Sequence, residues 1–161
     1  MEKVYRKGKV RLVRPKEEYL QKIEANLRES DRKEAWAGWR LRASEVVRMS
    51  VESSDDTWVI LYEEEPIGIF GVSRKSFLSE IGMIWFLGTD DLEKIWFSFG
   101  KETQAVIQMF LENYERLENW AAFDNKKTLG WLKKNGFQIE SPQPYGVYGE
   151  KFCYFWQTRE K

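Results

Sequence analysis

The chain of 161 residues contains no histidine. Imidazole is the one side chain that ordinarily titrates near neutrality and is the commonest nitrogen ligand of metals. Its absence therefore removes histidine acid–base catalysis, the Ser/His/Asp triad and most zinc and non-haem iron sites together. Cysteine is almost as scarce. Cys153 stands alone, which excludes an internal disulfide and a cysteine-only metal cage. With no histidine to activate it and aromatic residues around it, Cys153 reads as a buried structural thiol. Net charge is missing too, because 26 Lys and Arg balance 26 Asp and Glu; no global field draws the chain to nucleic acid or to an anionic membrane. There is no apolar run long enough to cross a bilayer and no signal-peptide core at the N-terminus. These absences predict a soluble protein of a reducing cytoplasm with no metal, membrane or nucleic-acid partner.

What is present is enough for one globular domain over residues 1–161, since 42% of the chain is hydrophobic. The aromatic share of 16%, with eight tryptophans, reads as a core packed with large rings. Charge is uneven only locally. Lys3, Arg6, Lys7, Lys9, Arg11, Arg14 and Lys16 face a lone Glu2, a basic strip that reads as the solvated flank of a first strand, contact with phosphate or an acidic partner being the alternative.

Periodicity supplies the elements. Val10 to Val13 reads as a strand stopped by Pro15, and Tyr19, Leu20, Ile23 and Leu27 recur at helical spacing over Glu17 to Arg28. Glu29 to Lys33 reads as a charged break. Trp36, Trp39 and Leu41 fit either a short helix or a wrapped loop, and Ser44 suits the N-cap of a helix ending near Ser53 and Ser54. Trp58 to Tyr62 and Ile67 to Val72 form a hairpin whose loop, Glu63-Glu64-Glu65-Pro66, exceeds two residues. A third strand runs from Ile81 to Leu87. Val106, Ile107, Phe110, Leu111 and Tyr114 mark a helix from Gly100 to about Leu117, and Asn119 to Phe123 is a short strand. Asn125 then caps a helix that Gly136 closes in the left-handed conformation, with Leu129 and Leu132 on its inner face. Gln138 to Glu140, a proline loop with Gly146 and Gly149, and an aromatic strand from Phe152 to Trp156 complete the chain. This order implies a mixed sheet with helices on both faces.

Asn125 at the start of the late helix, Lys134 and the terminal pair Gly136-Phe137 fall in a register that resembles the GNAT superfamily of acyl-CoA N-acyltransferases. The resemblance covers about Val10 to Trp156. It implies an α/β (α+β) fold with a mixed, mostly antiparallel sheet of six to seven strands. Trp85-Phe86-Leu87-Gly88-Thr89-Asp90, Leu117-Glu118-Asn119-Trp120 and Trp131-Leu132-Lys133 are further similar to GNAT-like proteins of tailed bacteriophages related to the internal virion protein of T7-type phages.

The resemblance implies an acetyl-CoA site. Phe86, Leu87 and Gly88 would offer strand hydrogen bonds to the pantetheine arm, Gly100 and Lys101 would meet the pyrophosphate at a helix N-terminus, and Asn125 would open the late helix beside it. The superfamily's phosphate turn would fall at Phe97-Ser98-Phe99-Gly100-Lys101-Glu102, where Phe97 replaces a polar opener and Glu102 a small residue. Leu132 takes the place of the tyrosine that usually protonates the leaving thiolate. Tyr145 or Tyr148 could replace that acid, and Glu80, Asp90 or Asp91 could serve as general base. Each also has a structural reading, capping for the carboxylates and packing for the tyrosines. With two of three turn positions altered and the tyrosine gone, the sequence predicts little or no binding of acetyl-CoA. On that reading the chain is a virion structural or assembly protein without turnover. It would partner other phage structural proteins and lie in the host cytoplasm or the phage particle. An acetyl-CoA-dependent N-acetyltransferase, in which an amine attacks the thioester directly, is the alternative, and a non-catalytic module binding acyl-CoA or peptide is a third reading.

Overall fold

The computed structural model describes residues 5–7, 9–95 and 100–159, with residues 5–7 as backbone. Phe97, Ser98 and Phe99 of the expected phosphate turn lie outside the described residues, as do Lys3 and the side chains of Arg6 and Lys7. The strands are β1 (Tyr5–Lys7), β2 (Val10–Val13), β3 (Asp56–Tyr62), β4 (Glu65–Arg74), β5 (Ile81–Gly88), β6 (Arg116–Ala122), β7 (Gln138–Ile139), β8 (Gln143–Tyr145) and β9 (Glu150–Thr158). The helices are α1 (Glu17–Ala25), α2 (Glu29–Trp39), α3 (Ala43–Glu52), α4 (Asp90–Ile95), α5 (Gly100–Asn113) and α6 (Lys126–Lys134). The strands form one sheet in the order β1-β2-β3-β4-β5-β6-β9-β7, with β8 also on β9. Every pairing is antiparallel except β5 with β6. That parallel pair needs a long crossover, which α4 and α5 span.

Alternation along the strands builds two cores. Trp58, Phe70, Val72 and Ile84 pack under Val106, Ile107 and Phe110 of α5 and Trp131 and Leu132 of α6. Val59, Leu61, Ile69 and Leu87 point the other way, against Leu20 and Ile23 of α1, Ala35 of α2 and Val46 and Val47 of α3. No helix among the described residues is long and apolar enough to cross a membrane.

The mixed, mostly antiparallel α/β fold matches expectation, but the described residues form nine strands where six or seven are expected. The additions are β1 and β8. Pro144 is tolerated in β8 because that strand is paired only with β9. The charged break from Glu29 to Lys33 is the first turn of α2, where Glu29 and Asp31 suit the positive end of the helix dipole. The hairpin loop shrinks to Glu63 and Glu64, both at positive φ (50° and 69°), the mirror-image turn that fits strand twist. Its acidic tip meets the basic strip, with Lys9 on Glu63 and Arg11 on Glu64 at 2.5 Å each.

Helix α6 is capped at both ends. The Asn125 side chain accepts the Thr128 N–H at 3.4 Å. At the other end Phe137 N–H reaches the Leu132 carbonyl and Gly136 N–H the Lys133 carbonyl, both at 3.1 Å, with Gly136 at φ 91°. This is the Schellman arrangement that a left-handed glycine permits.

Candidate active site

Strands β5 and β6 pair only at their starts, Ile81 with Arg116, Gly82 with Leu117 and Met83 with Glu118. Past Met83 they diverge. Asn119 seals the crotch of this fork, its Nδ2 donating to the Ile84 carbonyl and its Oδ1 accepting the Trp120 N–H, each at 2.8 Å. Beyond the crotch β5 stays paired with β4 as far as Gly88. Peptide groups along a strand point alternately to its two sides. Thr89 N–H turns to the Ile67 carbonyl of β4 at 2.9 Å. Gly88 turns the other way, its N–H donating to Asp31 Oδ2 at 2.8 Å and its carbonyl accepting the Arg28 N–H at 2.9 Å. By the same alternation Phe86, between Ile84 and Gly88, directs its N–H and C=O into the fork, where no described strand lies opposite.

A cavity of about 370 Å³ opens there, walled by Trp85 and Leu87 of β5, Ala35 of α2, Val46 of α3, Leu132 of α6 and Phe155 of β9. Its lining comes from both faces of the sheet, so it passes through the fork. Tyr145 borders it from β8, stacked on Trp120 with ring centroids 4.3 Å apart, and burial pushes its phenol up.

The polar end of the cavity is built by the α1–α2 junction. Arg28 holds Asp31 through Nε to Oδ2 at 2.6 Å and Nη2 to Oδ1 at 3.1 Å, with both residues almost fully buried. The same guanidinium reaches Thr128 Oγ1 of α6 at 3.2 Å and Glu93 of α4 at 3.6 Å. Burial pushes the Asp31 carboxyl up, against the pull of Arg28 and the Gly88 N–H. One turn along α2, Glu34 accepts the Ala122 N–H at the end of β6. Burial pushes the Glu34 carboxyl up to about 7; the Ala122 N–H, Arg28 and Asn125 oppose the rise, and the charge of Asp31 adds to it. A second recess of about 640 Å³ lies beyond Glu34, between α2, the β6–α6 turn and the tip joining β8 to β9.

Phe86, Leu87 and Gly88 thus stand at the fork, with Leu87 on the cavity wall. The Phe86 ring stacks on Phe70 at 5.3 Å and meets Trp131 edge-on at 4.5 Å. A Cβ at position 88 would lie 2.4 Å from Leu92 Cδ2, so any larger residue there requires the Leu92 side chain to move. Gly100 begins α5 with nothing within 4 Å of an added Cβ, and Lys101 beside it is exposed. Asn125 lines the outer recess. Its Nδ2 is buried without a well-formed hydrogen bond and is near enough to Glu34 to favour that carboxylate. Tyr145 borders the inner cavity, whereas Glu80 and Asp90 are exposed at the starts of β5 and α4 and line neither space. Leu132, in the expected position of the acid tyrosine, is fully buried in the cavity wall. Glu102 buries its Oε2 in the first turn of α5. Cys153 is buried and its thiol is pushed up by that burial. Sequence reasoning missed Asp31 and Glu34. Their signal was the spacing of Arg28, Asp31, Glu34 and Ala35 along one helical face, hidden because three of the four are charged.

No protein-family model matches the chain, and no curated protein sequence does. Solved structures match along nearly its whole length. A GNAT-family acetyltransferase from Bacillus anthracis superposes with a TM-score of 0.72 at 13% identity, over 99% of this chain and 100% of that one. A ribosomal-protein-S5-alanine acetyltransferase from Vibrio fischeri gives 0.69 at 14%, over 99% and 98%. The microcin C7 self-immunity acetyltransferase MccE, solved with acetyl-CoA and AMP, gives 0.70 at 14%, over 94% and 93%. At these identities the likeness establishes the fold, which is that of the GNAT acetyltransferases. Nothing in it points to a phage or virion protein.

Proposed function

We propose that this chain is an acetyl-CoA-dependent N-acetyltransferase. The observation that carries the reading is the forked parallel pair, with the Phe86 peptide group turned into a cavity of about 370 Å³. An extended amide-containing arm lying along β5 would find there an N–H and a C=O in strand register, which is what a pantetheine chain presents. The full-length likeness to acetyltransferases, one of them solved with acetyl-CoA, supports it further. Acetyl-CoA would be held by Phe86 and Leu87 along the arm and by the amides of Gly100 and Lys101 at the α5 N-terminus. When bound it supplies an acyl group activated as a thioester. Tyr145, a phenol that burial pushes further above its ordinary value, can donate a hydrogen bond within the cavity, and the apolar walls exclude water from it.

Isothermal titration with acetyl-CoA tests the reading. We expect micromolar binding, weakened at least tenfold in Gly100→Trp, a substitution at a position where an added Cβ meets nothing within 4 Å, with a Tm on the variant to check its fold. A second reading keeps the fold as a structural protein without turnover. It is favoured by Leu132 in the tyrosine position and by the Glu102 carboxylate in the first turn of α5, which repels phosphate. Absence of binding heat would favour that second reading.

A further inference from the structure

We infer that the outer recess admits a cationic alkyl amine and that Glu34, at the wall between recess and cavity, takes the proton that the amine must lose. This rests on the acetyltransferase reading and names its acceptor class and base. Of the two spaces, the inner is walled mainly by apolar side chains and opens at Phe86, whereas the outer is lined by Glu29, Asp124 and Glu150 against Lys33, which pairs with Glu29 at 3.9 Å, and Arg40 at its lip. Among the described residues Glu34 is the one lining both. An ammonium group arriving from outside therefore meets excess negative charge, then a carboxylate positioned where the acyl side begins. The recess also holds Asn125, 7% exposed, whose buried Nδ2 completes no well-formed hydrogen bond. Trp36 and Tyr148 form its outer lip, bridged by Arg40, whose guanidinium carbon lies 4.9 and 3.2 Å from the two ring centroids.

An alkylamine is protonated at neutral pH and has no lone pair to offer. The proton passes from the ammonium nitrogen to a Glu34 carboxylate oxygen. The freed lone pair forms the C–N bond as the acyl C–S bond breaks; the C–S electrons leave on sulfur, and the second proton shed by the attacking nitrogen goes to that thiolate, giving a neutral amide and a free thiol. The groups acting on Glu34 are Asp31 and Arg28 from the α1–α2 junction, the Ala122 N–H at the end of β6 and Asn125 at the start of α6; Glu29 and Lys33 of α2, Asp124 of the β6–α6 turn and Glu150 of β9 line the same recess. Burial first, with Asp31, raises the carboxyl against the pull of Ala122, Arg28 and Asn125, so the base is poised close to working pH rather than fully ionised.

The test compares 1,4-diaminobutane with aniline, which is already unprotonated at neutral pH, in wild type and Glu34→Gln. Acetyl-CoA titration and a Tm on both proteins serve as controls, and NMR titration with 1,4-diaminobutane alone gives a readout independent of turnover. We expect unchanged acetyl-CoA affinity and fold in Glu34→Gln. For 1,4-diaminobutane we expect a hundredfold or greater fall in kcat/KM, within the range general bases contribute, with loss of the acid limb near pH 7. For aniline the fall should be less than tenfold. Amine binding should weaken in Glu34→Gln and, as a second variant, in Asp124→Asn/Glu150→Gln, where KM for the diamine should rise with kcat preserved. Equal losses for both amines, a retained pH limb, or amine binding indifferent to these substitutions would overturn the inference. Absence of acetyl-CoA binding with amine binding intact would instead overturn the acetyltransferase reading.

Discussion

Glu34 binds its proton more tightly in the folded protein than in the unfolded chain, and the sign of that difference has a measurable effect. Its carboxyl is raised from 4.5 to about 7, chiefly by burial. Between those values the native state holds more protons than the unfolded state, so stability falls as pH rises through the window and levels off above it. The full effect is on the order of 3 kcal/mol from the raised carboxyl alone. Urea denaturation of Glu34→Gln should therefore show a flatter profile between pH 4.5 and 7, with the variant at least as stable as wild type at pH 8. This is the behaviour of a site residue kept at the expense of stability. Gly88 illustrates a residue that suits its shape, because a Cβ there would come within 2.4 Å of Leu92 Cδ2 and oblige the Leu92 side chain to shift.

At the scale of elements, α6 and α2 differ in how much of them the sequence reveals. Helix α6 was legible in outline because its determinants are local: Asn125 caps it, Leu132 faces inward and Gly136 ends it in a conformation that glycine adopts freely. Gly136→Val should lose about 1–3 kcal/mol by thermal or chemical denaturation, since a β-branched residue is strained at φ 91°; an unchanged Tm would count against the closure. Helix α2 was illegible because its inward positions are polar, and they become intelligible only through partners far along the chain. Asp31 answers the Gly88 N–H and Glu34 the Ala122 N–H. A rule that seeks apolar periodicity passes over such a helix, and the same blindness hid its two carboxylates from the list of site residues. Strands β1 and β8 escaped notice for a different reason, being three residues each, too short for alternation to register.

Across the whole molecule, Arg28 ties the layers together. Its backbone N–H holds the end of β5, and its side chain joins Asp31 of α2 to Thr128 of α6 and Glu93 of α4, elements that lie on opposite faces of the sheet. Arg28→Met should cost about 3–5 kcal/mol, because it leaves Asp31 buried without its counter-ion. Arg28→Met/Asp31→Leu should recover much of that loss in the same urea titration. A smaller loss in the double variant than in the single one would identify the cost as unpaired charge rather than lost packing.

The fork between β5 and β6 bears on how any guest would enter. Clefts inside sheets usually exist only after something has been pried apart, and the prying is subtracted from affinity. Here the paired stretch stops at Met83 and Glu118, and Asn119 finishes the seam with its own side chain. A chain sliding in beside Phe86 would exchange water for itself and leave every protein hydrogen bond at the seam intact. The opening is thus a berth rather than a door: occupancy there demands no unzipping, and an occupant should slow amide exchange in the flanking strands through the stability it lends the folded state.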